Sequence, residues 1–374
     1  MSKLAILLGV LIALGGCAGK ESGQRSAVPQ PQAKAPAKAD QSARVQNRSK
    51  SVKRFSFDSS DAAPASWRGF NALQTSRVAW GTPEARRSLM RMGAVGANSV
   101  ALIPFVRQSS PYSSTVMGAN NVTDAQLIAA IKSAHQLGLK VIVKPQILVR
   151  GSWAGEISFS DSGQLNRWFE SYSAHVLRYA RLSQSMGVEA FVIGTELSKV
   201  AEDLPWPRLI RQLRREFRGI LTYAAHNVEG VARFPYWDKL DVIGVSTYPS
   251  LGDMGEYDEM LAHIELDLYK LSQAVKANRK KPVWLLEVGV PSADGASSQP
   301  WEWRSLGKKS QRPDMTMQTA AMAAWLNAIK RLKYVDGVFI WCWYSDPQAG
   351  GERNIDYTVQ NKPSEIVIRQ YWRN

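Results

Sequence analysis

Two glutamates in this chain stand where a glutamate is out of place. Val188–Leu197 reads Val-Glu-Ala-Phe-Val-Ile-Gly-Thr-Glu-Leu, and Lys281–Gly289 reads Lys-Pro-Val-Trp-Leu-Leu-Glu-Val-Gly. Each is a β-favouring apolar run that closes on an acid, Glu196 in one and Glu287 in the other. Strands buried on both faces read as continuous apolar runs, so an acid at the carboxyl edge of such a strand points to chemistry rather than packing. Two carboxyl groups facing one gap can cleave a glycosidic bond. One is protonated and assists the leaving oxygen; the other is ionised and attacks carbon or activates water. Glu196 takes the acid/base part here, its pKa raised by burial and by a negative neighbour. Glu287 takes the nucleophile's part, kept ionised by hydrogen bonds with Tyr248 as a donor.

The elements that must hold these acids alternate along the chain. Strand patterns cover 68–73, 97–105, 139–147, 188–195, 219–225, 241–248, 282–288 and 336–343. Helical patterns cover 83–92, 124–137, 165–186, 207–217, 257–277, 315–332 and 363–372, with a short turn at 231–237. Gly138, Gly187 and Gly219 fall where a helix must stop and turn into the next strand. Eight strands alternating with helices argue for one (β/α)8 barrel, an α/β fold, over residues 55–374. An open doubly wound sheet is the alternative, but no Gly-rich dinucleotide fingerprint or Walker pattern accompanies it.

In such a barrel the chemistry sits at the carboxyl ends of the strands. Those ends supply Asn71, Lys144, Gln146, Glu196, His226, Asn227, Tyr248, Glu287, Trp341, Trp343 and Asp346. Alternation puts Glu196 on the face of Gly194, Val192 and Ala190, and Glu287 on that of Leu285 and Val283, so both acids point into the barrel. Trp153, Trp301 and Trp303 on the loops are candidate walls for a sugar. Blander roles exist: Glu196 as a helix cap, Glu287 as a structural ion pair with Lys144, the loop tryptophans as anchors. His135, mid-helix, reads as structural, and Asp241 and Asp336 begin strands at the stability face. The four histidines are scattered without metal-ligand spacing, so neither a metal nor another cofactor is expected.

Six segments, in order, carry a resemblance to a known family. They are 134–145 (Ala-His-Gln-Leu-Gly-Leu-Lys-Val-Ile-Val-Lys-Pro), 191–197, 219–227 (Gly-Ile-Leu-Thr-Tyr-Ala-Ala-His-Asn), 237–249, 281–289 and 337–343. The chain resembles glycoside hydrolase family 113 of clan A, whose known members are largely retaining endo-β-1,4-mannanases. The resemblance implies Glu196 as acid/base and Glu287 as nucleophile. Many clan A enzymes carry Asn before the acid/base; this chain has Thr195, which leaves the 2-hydroxyl contact to Asn227 or His226.

The amino-terminal end reads as an address. Lys3, the apolar run 4–13 and Leu14-Gly15-Gly16-Cys17 form a segment too short to span a membrane. Its ending resembles the bacterial lipobox, making 1–16 a signal peptide and Cys17 a lipidated first residue. Ala18 fits an outer-membrane address in a Gram-negative envelope. Residues 17–54 are rich in Ala, Gln, Ser, Pro and Lys and read as a disordered tether. Nine basic residues against two acids lie in 18–54, out of a net charge of +15 for the chain. Such an arm suits an anionic membrane surface. With Cys17 acylated, Cys342 has no disulfide partner, and alternation turns it away from the barrel axis as a buried small hydrophobe. No nucleic-acid reading motif accompanies the basic charge.

The expected function is therefore a lipid-anchored envelope glycoside hydrolase acting on a β-linked, mannan-like polysaccharide. The alternatives are a hydrolase of an amino-sugar envelope glycan such as peptidoglycan, which the basic body suits, and a non-catalytic glycan-binding lipoprotein.

Overall fold

A computed structural model describes residues 65–278, 281–302 and 312–373. The signal segment, Cys17, the tether and Trp303 lie outside the described residues. Eleven strands follow in chain order: β1 (Trp67–Leu73), β2 (Ser99–Leu102), β3 (Phe105–Gln108), β4 (Val116–Gly118), β5 (Lys140–Val143), β6 (Gln146–Val149), β7 (Ala190–Thr195), β8 (Ile220–His226), β9 (Ile243–Ser246), β10 (Val283–Val288) and β11 (Val335–Tyr344). Eight of them close a parallel barrel in the ring order β1, β11, β10, β9, β8, β7, β5, β2. The other three form a small sheet, β4–β3–β6.

That small sheet corrects the second and third strand patterns. Each was expected as one long strand, and each breaks at a proline, Pro104 or Pro145. Proline has no N–H to give the ladder, so barrel pairing between β2 and β5 ends there. The two chains continue beyond the rim as β3 and β6, parallel to each other, with β4 added antiparallel.

The outer layer comprises α1 (Pro83–Val95), α2 (Asp124–Gln136), α3 (Ser162–Ser185), α4 (Trp206–Glu216), α5 (Asn227–Arg233), α6 (Tyr257–Ala274), α7 (Met315–Lys330) and α8 (Pro363–Arg373). Their starts are legible: Thr82 and Pro83 open α1, and Thr123 with Gln126 forms a capping box on α2. α5 replaces the expected turn and begins directly at the strand end, on Asn227. Gly138 and Gly187 take the left-handed backbone expected after a helix, at φ 74 and 67. Gly219 is there for another reason. A side chain on it would meet the Glu189 carbonyl at 2.6 Å.

The barrel interior is a cluster separate from the shell between strands and helices. Trp67, Ile142, Val192, Val242, Trp284, Leu286 and Phe339 fill it. Trp284 packs against Trp67 with ring centroids 4.6 Å apart, against Phe339 at 6.1 Å, and donates its indole N–H to Asp336 (3.2 Å). Asp241 likewise serves the foot of the barrel, accepting from Arg214 (2.6 Å) and from the Leu221 N–H. His135 lies 3.3 Å from Glu189 in the same region, half-buried.

Replacing Trp284 by Ala should remove about 3–5 kcal/mol of stability, the usual cost of excising a buried indole. Urea denaturation followed by far-UV circular dichroism measures it.

Candidate active site

Above the apolar interior the barrel turns polar, and Glu287 sits at the centre of that layer with none of its surface exposed. Its Oε1 accepts from Lys144 Nζ and from Gln146 Nε2 (2.8 Å); its Oε2 accepts from the Tyr248 hydroxyl (2.7 Å). The expected donor is thus in place. Lys144 is equally buried and also reaches Asn71 Oδ1 (3.0 Å) and the Leu286 carbonyl (3.4 Å). Asn71 donates its amide to the same carbonyl at 2.9 Å. These contacts correct the sequence reading of Lys144 and Asn71 as sugar contacts. The three ammonium hydrogens of Lys144 are spent on three protein acceptors, and both residues hold the nucleophile candidate. Burial pushes the Glu287 carboxyl above the usual range, and the charge of Glu196 adds to this, while Lys144 and Tyr248 pull it back. Burial likewise pushes the Lys144 ammonium down, against the pull of Glu287.

Glu287 reaches the interior by a route that alternation does not give. Trp284 and Leu286 belong to the inner cluster, whereas Val283 and Leu285 belong to the outer one. The pairing of β10 with β9 slips between Leu285 and Glu287, so two successive residues face inward. A bulge also precedes Glu196, where the pairing of β7 with β8 slips between Val192 and Thr195. Ala190 and Val192 face inward as expected. Gly194 does not: a side chain there would meet Trp206 and Tyr223, at 2.9 and 3.1 Å, on the helix side.

Glu196 itself has left-handed backbone, φ 55. Its N–H donates to the Ala224 carbonyl (2.8 Å), and the next N–H, of Leu197, donates to the Tyr223 hydroxyl (3.0 Å). Between them these bonds over-determine an unfavourable conformation. The carboxyl lies 3.4 Å from His226 Nδ1, close enough for charge to act but not aligned as a hydrogen bond. Asn227 orders that imidazole. Its Oδ1 accepts from the Tyr248 N–H (3.3 Å), so its amide nitrogen faces His226 Nε2 (3.1 Å), leaving the ring proton on Nδ1 toward Glu196. Burial disfavours charge on His226, but Glu196, with Glu229 and Glu287 farther off, outweighs it and raises the pKa. A continuous path of contacts thus runs from Glu196 through His226, Asn227 and Tyr248 to Glu287.

Trp153 stacks obliquely on His226, with centroids 4.7 Å apart, and closes a small pocket beside Glu196 together with Gln146, Thr195 and Phe105. Trp341 lies at the mouth, its ring 5.8 Å from Lys144 Nζ. Half-buried Trp301 packs on the cluster of Trp341, Tyr248 and Tyr357. Two expectations on β11 are overturned. Trp343 is fully buried in the outer shell, donating to Ser88 (2.8 Å) and packing on Phe70, so it is no sugar contact. Cys342 joins the mouth cluster instead of the shell. The pairing of β1 with β11 runs from Trp341 directly to Trp343 and leaves Cys342 as the extra residue. Asp346 accepts from the Gln348 N–H (2.9 Å) and braces its own turn. Sequence reasoning missed Tyr223 and Tyr357. Tyr223 sits among outward apolar neighbours that read as core, and Tyr357 lies on a loop without periodicity.

A closed parallel barrel with acids at the ends of its fourth and seventh strands defines a clan A glycoside hydrolase. The sequence model of Glycoside Hydrolase Family 113 matches residues 69–362. A GH113 β-1,4-mannanase solved as a complex superposes with a TM-score of 0.72 at 28% identity, over 82% of this chain and 98% of its own. The GH113 β-mannanase AaManA from Alicyclobacillus acidocaldarius, in complex with ManMIm, gives 0.72 at 27%, over 83% and 98%. A family 5 mannosidase from Rhizomucor miehei shares the fold, with a TM-score of 0.60 at 12% identity, over 84% and 94%. Among curated proteins none matches. The chain belongs to glycoside hydrolase family 113, and it is a retaining hydrolase of clan A.

Replacing Lys144 by Met removes the main influence that opposes burial of the Glu287 charge. The carboxyl then titrates higher still, so the ionised form is lost at a higher pH on acidification. The acid limb of the kcat/KM profile should move to higher pH, and stability at neutral pH should fall by about 3–5 kcal/mol. A pH–rate profile and a denaturation curve on one preparation read both.

Proposed function

We propose that the chain cleaves β-1,4-linked mannan by double displacement between Glu287 and Glu196, from a lipid anchor in the bacterial envelope. The observation that carries the mechanism is the unequal setting of the two acids. Glu287 is immobilised by three donors, as a nucleophile that must meet one carbon requires. Glu196 has one oxygen with no protein partner, beside a pocket and an imidazole. In the first step the Glu287 carboxylate attacks the anomeric carbon while Glu196 gives its proton to the leaving oxygen. The glycosyl ester so formed is hydrolysed when Glu196, now a base, takes a proton from water. His226 faces Glu196 throughout and answers its change of charge.

The mannan reading rests on family membership and on the substrates named for the two GH113 neighbours. The net charge of +15 favours a second reading, an anionic or amino-sugar envelope glycan. The anchor rests on Leu14-Gly15-Gly16-Cys17, and among the described residues no helix is long and apolar enough to cross a membrane.

Incubation of the full chain with mannan, glucan and peptidoglycan, with mass analysis of products, should give manno-oligosaccharides. Release from peptidoglycan alone would replace the first substrate reading with the second. Glu287→Ala should abolish turnover, and Glu196→Ala should lower it by about 10²–10⁴ on polysaccharide. With an activated aryl glycoside and azide, Glu196→Ala should yield a glycosyl azide of retained configuration and Glu287→Ala one of inverted configuration. The opposite pairing would exchange the roles. In cells, Cys17→Ala should move the protein from the membrane fraction to the soluble one, which an immunoblot of fractions detects.

A further inference from the structure

Several buried polar atoms at the mouth have no hydrogen-bond partner among the described residues, and they are not scattered. The Thr195 hydroxyl, the Trp153 indole N–H and Oε1 of Glu196 are all among them. All three residues line one pocket of about 30 Å³, whose other walls are Phe105, Gln146, Ile147, Leu148 and Ala154. Thr195 is 7% exposed and Trp153 is 6% exposed. Burying a donor without an acceptor costs on the order of 1–3 kcal/mol. Two such donors in one pocket, beside a catalytic acid, mark a place for an acceptor oxygen that arrives with a ligand.

The architecture supports this reading. Trp153 is held in position: a methyl group on Gly155 would overlap its six-membered ring, so only glycine lets the indole lie there. Lys199 on the turn after Glu196 bonds Glu156 on the Trp153 loop at 2.6 Å, joining the two loops that bound the pocket. The walls come from β3, β6, the Trp153 loop and the end of β7. No residue of β9, β10 or β11, the strands around the nucleophile, contributes. Gln146, which also bonds Glu287, is a wall, but Glu196 itself lines the pocket and Glu287 does not, so the pocket lies on the proton-donor side, where the departing half of the substrate sits. Its volume suits one hydroxyl or hydroxymethyl group, with the sugar ring above it and the apolar wall against carbon.

We propose that this pocket grips the leaving-side sugar, one of whose oxygens accepts from the Thr195 hydroxyl and the Trp153 indole N–H. The proposal rests on the hydrolase reading of Glu196 and Glu287 and adds two specificity-determining residues to it. Thr195 thereby acts on the other side of the scissile bond from the 2-hydroxyl contact that an Asn at this position makes in other clan A enzymes.

The test uses the full chain and the variants Thr195→Val, which keeps shape and removes the hydroxyl, and Trp153→Phe, which keeps a ring and removes the N–H. Each is assayed on mannotetraose, which has a leaving-side sugar, and on mannosyl fluoride, which has none. For each variant kcat/KM on the tetrasaccharide should fall about tenfold further than on the fluoride, the loss of roughly one hydrogen bond. Equal falls on both substrates, or no fall, would overturn the proposal. Thr195→Val should melt no lower than the parent, since the hydroxyl has no protein partner to lose; a lower melting temperature also counts against it. Should the parent cleave neither substrate, the mannan reading fails separately. Calorimetric titration with mannotetraose then decides: weaker binding by the variants sustains the pocket, and unaltered or absent binding ends it.

Discussion

A carboxylate and an ammonium group, both withdrawn entirely from solvent, determine how the upper half of this barrel is built. Neither Lys144 nor Glu287 is tolerable alone at that depth. Together they still demand that every remaining lone pair and hydrogen be satisfied. Asn71, the Leu286 carbonyl, Gln146 and Tyr248 meet that demand from four strands or their ends. The interior therefore changes character along its axis, from the Trp67–Trp284–Phe339 stack at the foot to a saturated polar layer above it. The apolar stack keeps the polar layer from sinking, and the polar layer holds a charged Glu287 at the surface of the stack.

The residues of the mouth are aimed by irregularities. Slips in pairing precede Glu196 and Glu287 and set aside Cys342, so three strands abandon strict alternation just where chemistry is wanted. This explains the division between what could be read from residues alone and what could not. The barrel, its helix starts and the identity of both acids follow from apolar runs, caps and acids at run ends, all local signals. Alternation aims Glu287 inward on the face of Leu285 and Val283, whereas the bulge aims it inward beside Leu286, because a period of two is blind to a bulge. Trp343 was misassigned for the same reason. Lys144 was recognisable as a site residue, but its task depends on three acceptors distant in sequence, which no local pattern records. The break at Pro104 and Pro145 was visible in the residues themselves, since a proline in a central strand argues against continuing it.

The two sides of the cleft differ in construction as they do in task. The Glu287 side is made of strand ends locked by side-chain bonds through the barrel. The Glu196 side is made of loops, a half-satisfied carboxyl and an imidazole oriented by Asn227. Rigid placement suits the group that forms a covalent bond, because reacting distance is unforgiving. In the proposed mechanism Glu196 changes its proton twice in a cycle, and it is better served by a neighbour that can change charge with it.

Glu196 and Asn227 end adjacent strands, and each adopts a left-handed backbone that residues with side chains avoid, at φ 55 and 54. Asparagine tolerates that conformation and Asn361 shares it, but a glutamate does not, and a glycine in the acid's place would relieve strain of order 1–3 kcal/mol. The enzyme thus sits uphill of its own inactive descendants. In a lineage that no longer used the activity, drift would replace Glu196 early and leave behind a sturdier, silent barrel.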